Sequence, residues 1–570
     1  MYKSLFFLSL YVFLALWALT NVLPNQFIRF KILNRFRGIV HFLSGPRSSV
    51  ITVFLLSFAL SAGISYYHNP VPSVPDEFSY LLSSDTFSEG RLTNPTHPFW
   101  KHFESFHIFQ RPTYASKYPP GQGLFLAIGQ VLTGRPIVGV WLSVALACAA
   151  VCWMLRAWVP PQWAFMGGLL AVLHPLSIFW GQNYWGGAVA ILGGALLFGA
   201  LRRLMQQPRA GTAYILGMGL FLLATSRPFE GFLTAICAAV LLVIWMVSQT
   251  RFPVMVLLKS VQLPLGVASL MIVGALATYN YHLTGSAFRL PYQVHEETYS
   301  PTPLFVWGTP RTDLAPYNPH LKKLHYGWSF ETYQRQQDAS GYWNEVSEKT
   351  TRIIRQMIAF PLGILLLMLP WIVKERWGRI AVIIVLLISL INIFCATFFL
   401  AHYLAPIFPL IFFILIQGVR HLRAAHWRKQ SQGPVFVMGL YLLFVALSFS
   451  RIWLQSSNPE TTPRHALALQ RSELIKALEK RPQKDLIFVK YSPEHDPHFE
   501  WVYNRADIDN AEVVWAHILT NEENQKLIEH FADRQIWWID ADARQLKLRP
   551  VKGLPPNQKS ETQSDTSSAS

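Results

Sequence analysis

Long apolar runs alternate with short polar gaps through most of this chain, and the length of the runs sets its architecture. Stretches at about 5–23, 50–67, 136–155, 163–180, 184–201, 212–226, 230–248, 257–280, 358–373, 380–398, 400–418 and 434–453 have the length and apolarity expected of helices that cross a hydrocarbon layer of about 30 Å. The pattern predicts a mostly α, polytopic membrane bundle of about twelve spans. One more apolar piece, "GQGLFLAIGQVLT" at 121–133, is short for a span, so it is expected to lie at the interface or to re-enter.

After the last run the pattern changes. Between 455 and 550 helix-like "SELIKALEKR" and "NEENQKLIEHF" alternate with strand-like "DLIFVKYS", "AEVVWAHI" and "RQIWWIDA", which predicts a small α/β domain outside the membrane. The tail, 551–570, is low in complexity and expected to be disordered. The organisation is therefore a transmembrane unit over 1–454, with a first external loop at 68–120 and a large one at 281–357, then the α/β domain and the tail.

Composition agrees: 52% of the 570 residues are hydrophobic and 14% charged, which excludes a single soluble core. The net charge of +17 invites a nucleic-acid reading, but the basic residues sit in gaps between spans rather than on one polar domain. Arg29, Lys31, Arg35, Arg37 and Arg47, then Arg202, Arg203 and Arg209, Arg251 and Lys259, Lys374, Arg376 and Arg379, and Arg420, Arg423, Arg428 and Lys429 fall on one face, provided 121–133 does not cross. Cytoplasmic loops collect Lys and Arg, so that face is inside. Outside lie 68–120, 181–183, 227–229, 281–357, the turn near 399 and everything after 453. Lys3 followed by "SLFFLSLYVFLALWALT" reads as a retained anchor, because cleavage there would leave basic 24–49 outside. Cys148, Cys152, Cys237 and Cys395 all lie in apolar runs and suggest neither disulfides nor zinc.

The unusual polar residues at span ends all fall on the outer face. They are Asp76 and Glu77, Lys117 and Tyr118, Asn183 and Tyr184, Arg227 and Glu230, and His402 and Tyr403. Each has an ordinary reading: a solvated boundary for the acids, an i, i+3 pair for Arg227 and Glu230, interfacial anchoring for His402 and Tyr403. Gly186, Gly187, Gly193 and Gly194 point to close helix packing rather than a phosphate cradle. In the α/β domain "EHDPHFEWVYNRADID" gathers His495, Asp496, His498, Glu500, Asp507 and Asp509 without a fixed ligand spacing, which favours a solvated loop over a metal site.

The combination resembles a known family. Asp76-Glu77 in the first outer loop, helix-like "YLLSSDTFSEGRL", Lys117-Tyr118-Pro-Pro before an apolar piece, and "YLAPIFP" at 403–409 together resemble the GT-C superfamily of membrane glycosyltransferases over roughly 50–420. The branch it looks most like holds protein O-mannosyltransferases and bacterial lipid A aminoarabinose transferases. That resemblance implies sugar transfer, with inversion, from a polyprenyl-phosphate donor to a glycan, lipid or protein acceptor at the periplasmic face of a bacterial cytoplasmic membrane. It places Asp76 near the reacting centre and Lys117 at the donor phosphate. The chemistry asks for a carboxylate to take or orient the acceptor proton and for cations to offset charge on the departing phosphate. Asp76 is then the base, with Glu77 orienting it or binding a substrate hydroxyl, and two adjacent acids raise one another's proton affinity. Lys117 and Arg227 are the phosphate candidates, with His402 as a further donor and Tyr403 as a sugar surface. Many relatives carry a second acid in the next outer loop; here Asn183-Tyr184-Trp185-Gly186-Gly187 has none, so Glu77 or Glu230 would substitute, and use of a divalent cation stays open. The expected partners are membrane lipids, a lipid-linked sugar and its acceptor, with no nucleic acid. A transporter or lipid flippase, or a noncatalytic envelope-assembly protein, is the alternative; the first would call for internal repeats and mid-membrane acids, which the runs lack.

Overall fold

Prolines decide where many of the helices begin. Pro fixes a helix-compatible φ and lacks the N–H that the first turn leaves unused, so Pro75, Pro120, Pro136, Pro161, Pro175, Pro228 and Pro291 each open a helix. The computed structural model describes residues 45–314, 318–425, 433–457, 463–543 and 546–551. In chain order the helices that build the bundle and its outer face are α1 (Ser48–His68), α2 (Pro75–Ser88), α3 (Pro120–Thr133), α4 (Pro136–Leu155), α5 (Pro161–Leu173), α6 (Ala188–Gln206), α7 (Ala210–Ala224), α8 (Pro228–Ser248), α9 (Val254–Thr284), α10 (Pro291–Tyr299), α11 (Ala339–Ile353), α12 (Arg376–Cys395), α13 (Ala401–Ala424) and α14 (Gly433–Ser457). Between α2 and α3 a two-stranded ribbon, β1 (Ile108–Phe109) and β2 (Ala115–Ser116), runs antiparallel.

The chain is a multi-pass membrane protein, but its spans are less uniform than the runs suggest. Among the described residues eight helices are long and apolar enough to cross: α1, α4, α6, α8, α9, α12, α13 and α14. The run at 163–180 breaks at His174, where Pro175 starts a new six-residue helix, leaving α5 at 13 residues. The run at 212–226 forms the 15-residue α7. The run at 358–373 is the second half of a pair, Ala339–Ile358 and Leu362–Ile372, bent by 101° at a break that contains Pro361. The first run, 5–23, with its anchor reading, and nearly all of the tail lie outside the described residues. As expected, 121–133 is a short helix: α3 has 14 residues and turns Leu124, Ile128, Val131 and Leu132 outward.

Small residues allow the tight crossings. A Cβ on Gly139 of α4 would stand 1.9 Å from the Phe125 carbonyl oxygen of α3, and one on Gly194 of α6 would stand 1.9 Å from that of Pro406 in α13. The glycine series is therefore packing, as its spacing suggested. α13 is almost wholly buried and forms the axis of the core with α4 and α6.

The C-terminal unit has the expected α/β form. α15 (Pro463–Leu478) precedes β3 (Asp485–Lys490), β4 (Val513–His517), α16 (Asn521–His530), β5 (Gln535–Asp540) and β6 (Arg549–Pro550). The sheet order is β4-β3-β5-β6, parallel except for β6, with Leu486 opposite both Val514 and Ile536. The central strand β3 is buried on both faces, which explains its unbroken apolar run.

This unit packs on the first outer loop and on α2. Leu82 of α2 shares a core with Leu486, Phe488, Val514 and Ala516. The backbone N–H of Ala506 donates to Asp85 (2.8 Å), His102 Nδ1 lies 2.9 Å from the His517 carbonyl, and His517 Nε2 lies 2.8 Å from the Glu104 carbonyl. The histidine- and acid-rich stretch is accordingly not the solvated loop its composition suggested. Glu500 is buried against Tyr491 and His320, and His495 is buried against Asp542. Asp509 receives His97 at 3.1 Å and His530 at 2.9 Å. Those three are the one group among the described residues with donor atoms close enough for a metal ion. Phe99 N–H donates to His97 Nδ1 (3.0 Å), which leaves that ring's proton on Nε2, facing Asp509. The trio is a hydrogen-bonded clasp.

Gly194→Ala should lower stability by about 1–3 kcal/mol through overpacking against Pro406, read as an earlier thermal unfolding of the purified protein. A cysteine replacing Glu522, on exposed α16, and one replacing Arg379 should react with an impermeant maleimide from opposite sides of sealed vesicles; labelling from one side would contradict the orientation.

Candidate active site

Glu77 organises the outer face. It occupies the third position of α2, where helix N–H groups lack partners, and its Oε2 accepts from the backbone N–H of Ser73 (2.7 Å) and Val74 (3.2 Å). Its Oε1 accepts from Tyr184 N–H (3.0 Å) in the loop between α5 and α6. Expected as a partner of the base, Glu77 is instead only 1% exposed, with both oxygens taken by backbone. It positions rather than meets a ligand. Burial pushes its carboxyl up to about 7 against those N–H groups, with Asp76 adding a smaller push in the same direction. The expectation that one acid of the pair holds its proton more tightly applies to Glu77.

Asp76, one residue earlier, is freer. Tyr118 donates its hydroxyl to Asp76 Oδ1, and His107 Nε2 stands 3.9 Å from Oδ2, while the side chain keeps 29% of its exposure. Tyr80, one helical turn on, stacks on Tyr118 at 4.6 Å and completes the wall. Burial, then the Asp76 charge, holds the Tyr118 hydroxyl well above its ordinary value, so it stays a donor. His107 takes a left-handed backbone, φ 62°, in the turn before β1. That conformation costs on the order of 1 kcal/mol for a residue with a Cβ. Burial and then Lys117 keep its ring well below the ordinary histidine range and hence neutral.

The cations differ from each other. Lys117 is 6% exposed and pairs with Glu296 of α10 at 3.0 Å, with its ammonium 5.0 Å from the Tyr292 ring centre. Burial raises the Glu296 carboxyl, but Lys117 and His295 outweigh it and hold the group well below the usual carboxylate range. Arg227 caps α8 with its guanidinium carbon 5.1 Å from the Tyr403 ring centre. Among the described residues nothing forms an ion pair or side-chain hydrogen bond with it, so the i, i+3 pairing with Glu230 does not form. Glu230 is buried in the first turn of α8, and its charge, with those of Arg227, Asp76 and Glu296, acts on Tyr403.

Tyr403 reaches this position because Pro406 and Pro409 force the start of α13 into a tighter 3-10 turn, Ala401–Ile407. His402 turns the other way and is buried edge-on to Trp185 at 4.8 Å. Asn183 closes its own loop on the Phe179 carbonyl, and the Tyr184 hydroxyl reaches Pro70 at 3.3 Å. The structure therefore clusters these groups: Tyr118 meets Asp76, Lys117 lies by Tyr118, Arg227 lies by Tyr403, and the charges of Asp76, Arg227 and Glu230 all act on Tyr403, while Glu77, Asn183, Tyr184 and His402 hold the surrounding loops. Sequence reasoning missed His107, Tyr292, His295 and Glu296. "QVHEE" after a proline in the large outer loop was the available signal. Among the described residues no three ligand atoms converge around Asp76, where Tyr118 holds Asp76 and Lys117 holds Glu296.

The sequence matches no known family model and no curated protein. Its structure is similar to that of ArnT from Cupriavidus metallidurans bound to undecaprenyl phosphate, with 14% identity, a TM-score of 0.47, and coverage of 86% of this chain and 92% of that one. It is also similar to the archaeal oligosaccharyltransferase AglB from Archaeoglobus fulgidus, in complex with an inhibitory peptide and a dolichol-phosphate, with 13% identity, a TM-score of 0.39, and coverage of 87% and 69%. Both are members of the GT-C superfamily, the one that the short motifs resemble.

Glu77→Ala should cost about 2–4 kcal/mol by stranding backbone N–H groups, seen as a lower unfolding midpoint. Acid should also weaken the outer assembly. Burial holds His517 at about 4, below the ordinary 6.5, and holds His295 at about 4 likewise. A group depressed in this way is protonated first in the unfolded chain, so its stabilisation is full above pH 6.5 and is lost as pH falls toward about 4. Going from about pH 8 to about pH 5 should cost on the order of 1–2 kcal/mol per group. A melting temperature that rose on acidification would contradict this.

Proposed function

We propose that this chain is an integral-membrane glycosyltransferase that moves a sugar from a polyprenyl-phosphate donor to an acceptor hydroxyl or similar nucleophile at the periplasmic face of a bacterial cytoplasmic membrane, with inversion. The observation that carries the reading is that a part-exposed carboxylate, Asp76, and a guanidinium, Arg227, that forms no ion pair among the described residues both act electrostatically on the rings of Tyr80 and Tyr403. A lipid phosphate anchored in the bilayer presents its headgroup at that level, where a cation near the interface attracts it. Its phosphate would meet Arg227, with Lys117 available if it exchanges Glu296 for the ligand, and Tyr403 would offer its ring to the sugar.

In the reaction the acceptor hydroxyl approaches the anomeric carbon from the side of Asp76, which takes its proton. The bond from that carbon to the phosphate oxygen breaks on the far side, and the phosphate leaves with the electron pair on its oxygen, against the cations. Tyr118 keeps one Asp76 oxygen engaged, so that the other points at the incoming hydroxyl. Neutral His107 beside it adds no competing positive charge. Among the described residues no acidic residue occupies the middle of a long apolar helix, which disfavours the transporter alternative.

Purified protein given radiolabelled polyprenyl-phosphate sugar and a membrane glycolipid fraction should release polyprenyl phosphate and label the acceptor. Asp76→Asn should reduce the rate by about 10²–10⁴-fold while still binding undecaprenyl phosphate. Arg227→Gln should weaken that binding instead. Full activity in Asp76→Asn would remove Asp76 from the role of base.

A further inference from the structure

The back of α2 meets a second pair of polar groups, from the C-terminal unit, that the catalytic reading leaves unused. Arg471 of α15 places its guanidinium carbon 4.7 Å from the ring centre of Phe78 and 5.4 Å from that of Trp515. It donates one hydrogen bond, from Nη2 to the Trp501 carbonyl at 3.2 Å. Its Nε is enclosed with no partner, and among the described residues no carboxylate forms an ion pair with it. A guanidinium carries five N–H donors, and Arg471 is part-buried with an enclosed Nε that has no partner of its own, which leaves donor capacity for a ligand. Glu500, the carboxylate whose charge acts on it, is already held by Tyr491 and His320.

Tyr503 stands beside it. Its ring stacks on the same Phe78 at 4.1 Å and 6°, the residue is 7% exposed, and its hydroxyl is buried with no partner. Buried tyrosine hydroxyls ordinarily find one. Phe78 lies two residues after Asp76, so both donors border the helical turn that carries the proposed base. The Asp76 charge acts on the Tyr503 hydroxyl, which puts the pair within electrostatic reach of the proposed base. A cation and a hydroxyl left open together suit one kind of ligand, an oxyanion.

We propose that Arg471 and Tyr503 form an anion subsite through which the C-terminal domain holds a phosphate or carboxylate group of the acceptor beside Asp76. The proposal rests on the glycosyl-transfer reading and adds the charge class of the acceptor to it. It also gives the C-terminal domain a part in substrate recognition, where its packing alone would make it a brace for α2.

The test uses the full chain with labelled donor and two acceptor preparations: a membrane glycolipid fraction with its acidic groups intact, and the same fraction neutralised by methyl esterification. For the intact fraction, Arg471→Gln should raise the half-saturating concentration about tenfold with the maximal rate little changed. Arg471→Lys should recover most of the loss, and Tyr503→Phe, which keeps the ring stack, should show a smaller shift of the same kind. Wild type should show a comparable shift on the neutralised fraction, where Arg471→Gln has no further effect. All three variants should bind undecaprenyl phosphate as wild type does. Equal losses on both fractions are what a bracing arginine produces and would overturn the subsite, as would no shift in either Arg471→Gln or Tyr503→Phe. Should Arg471→Gln fail to fold, the near-isosteric Tyr503→Phe decides. If wild type binds undecaprenyl phosphate yet transfers to neither fraction, the glycosyl-transfer reading itself falls.

Discussion

One buried carboxylate holds the outer face together. Glu77 accepts backbone N–H groups from the turn that leads into α2 and from the loop between α5 and α6, so a single side chain fixes the entry of one helix and the path of a distant loop. Without it, the N-terminus of α2 would present unpaired donors to a partly apolar surrounding, where each is expensive. Asp76 is adjacent to this knot. Its position is inherited from Glu77, which is why a buried residue whose two oxygens both accept backbone N–H groups still matters to whatever Asp76 does.

Around that fixed point the charges are arranged to stay in definite states. Lys117 and Glu296 neutralise each other at 3.0 Å, and the nearby rings of His107 and His295 are kept neutral by burial and by the lysine. Among the described residues Arg227 forms no ion pair or side-chain hydrogen bond and has the Tyr403 ring beside it, with the Glu230 charge coupled to it at longer range. In a region of reduced dielectric, an unmatched cation attracts an anion more strongly than it would in water. The combination of one open carboxylate and one open cation is what distinguishes this space from the many structural ion pairs on the same face.

The C-terminal unit grips the bundle through its most binding-prone edge. In open parallel sheets the carboxyl ends of the strands line the usual ligand crevice. Here the ends of β3 and β4 bear Tyr491 and His517, and the chain's own His320 stacks on Tyr491 at 4.1 Å while His517 engages the first outer loop. The edge is occupied from within. What it binds are the segments that flank the site, so the domain and the transmembrane unit share one outer structure.

Much of this could be read along the chain. Apolar run lengths placed the eight long spans of the described residues, and the short 121–133 helix fell out by length alone, because crossing a membrane imposes a length that local sequence must obey. The α/β unit was legible for the same reason: strand and helix periodicities are local. That Asp76, Lys117, Arg227 and Tyr403 belong together was an expectation from parity and from the family resemblance. Tertiary structure decided the rest. Pro175 and Pro361 turned two apparent spans into broken ones, which apolarity counts cannot detect. Glu77 changed from a partner of the base to a cap, Lys117 found Glu296 at a separation of 179 residues, and Arg471 and Tyr503 met behind α2. Pairings of that range leave no periodic trace, since nothing in the local backbone reports which distant side chain will neutralise a charge and which charge will be left open.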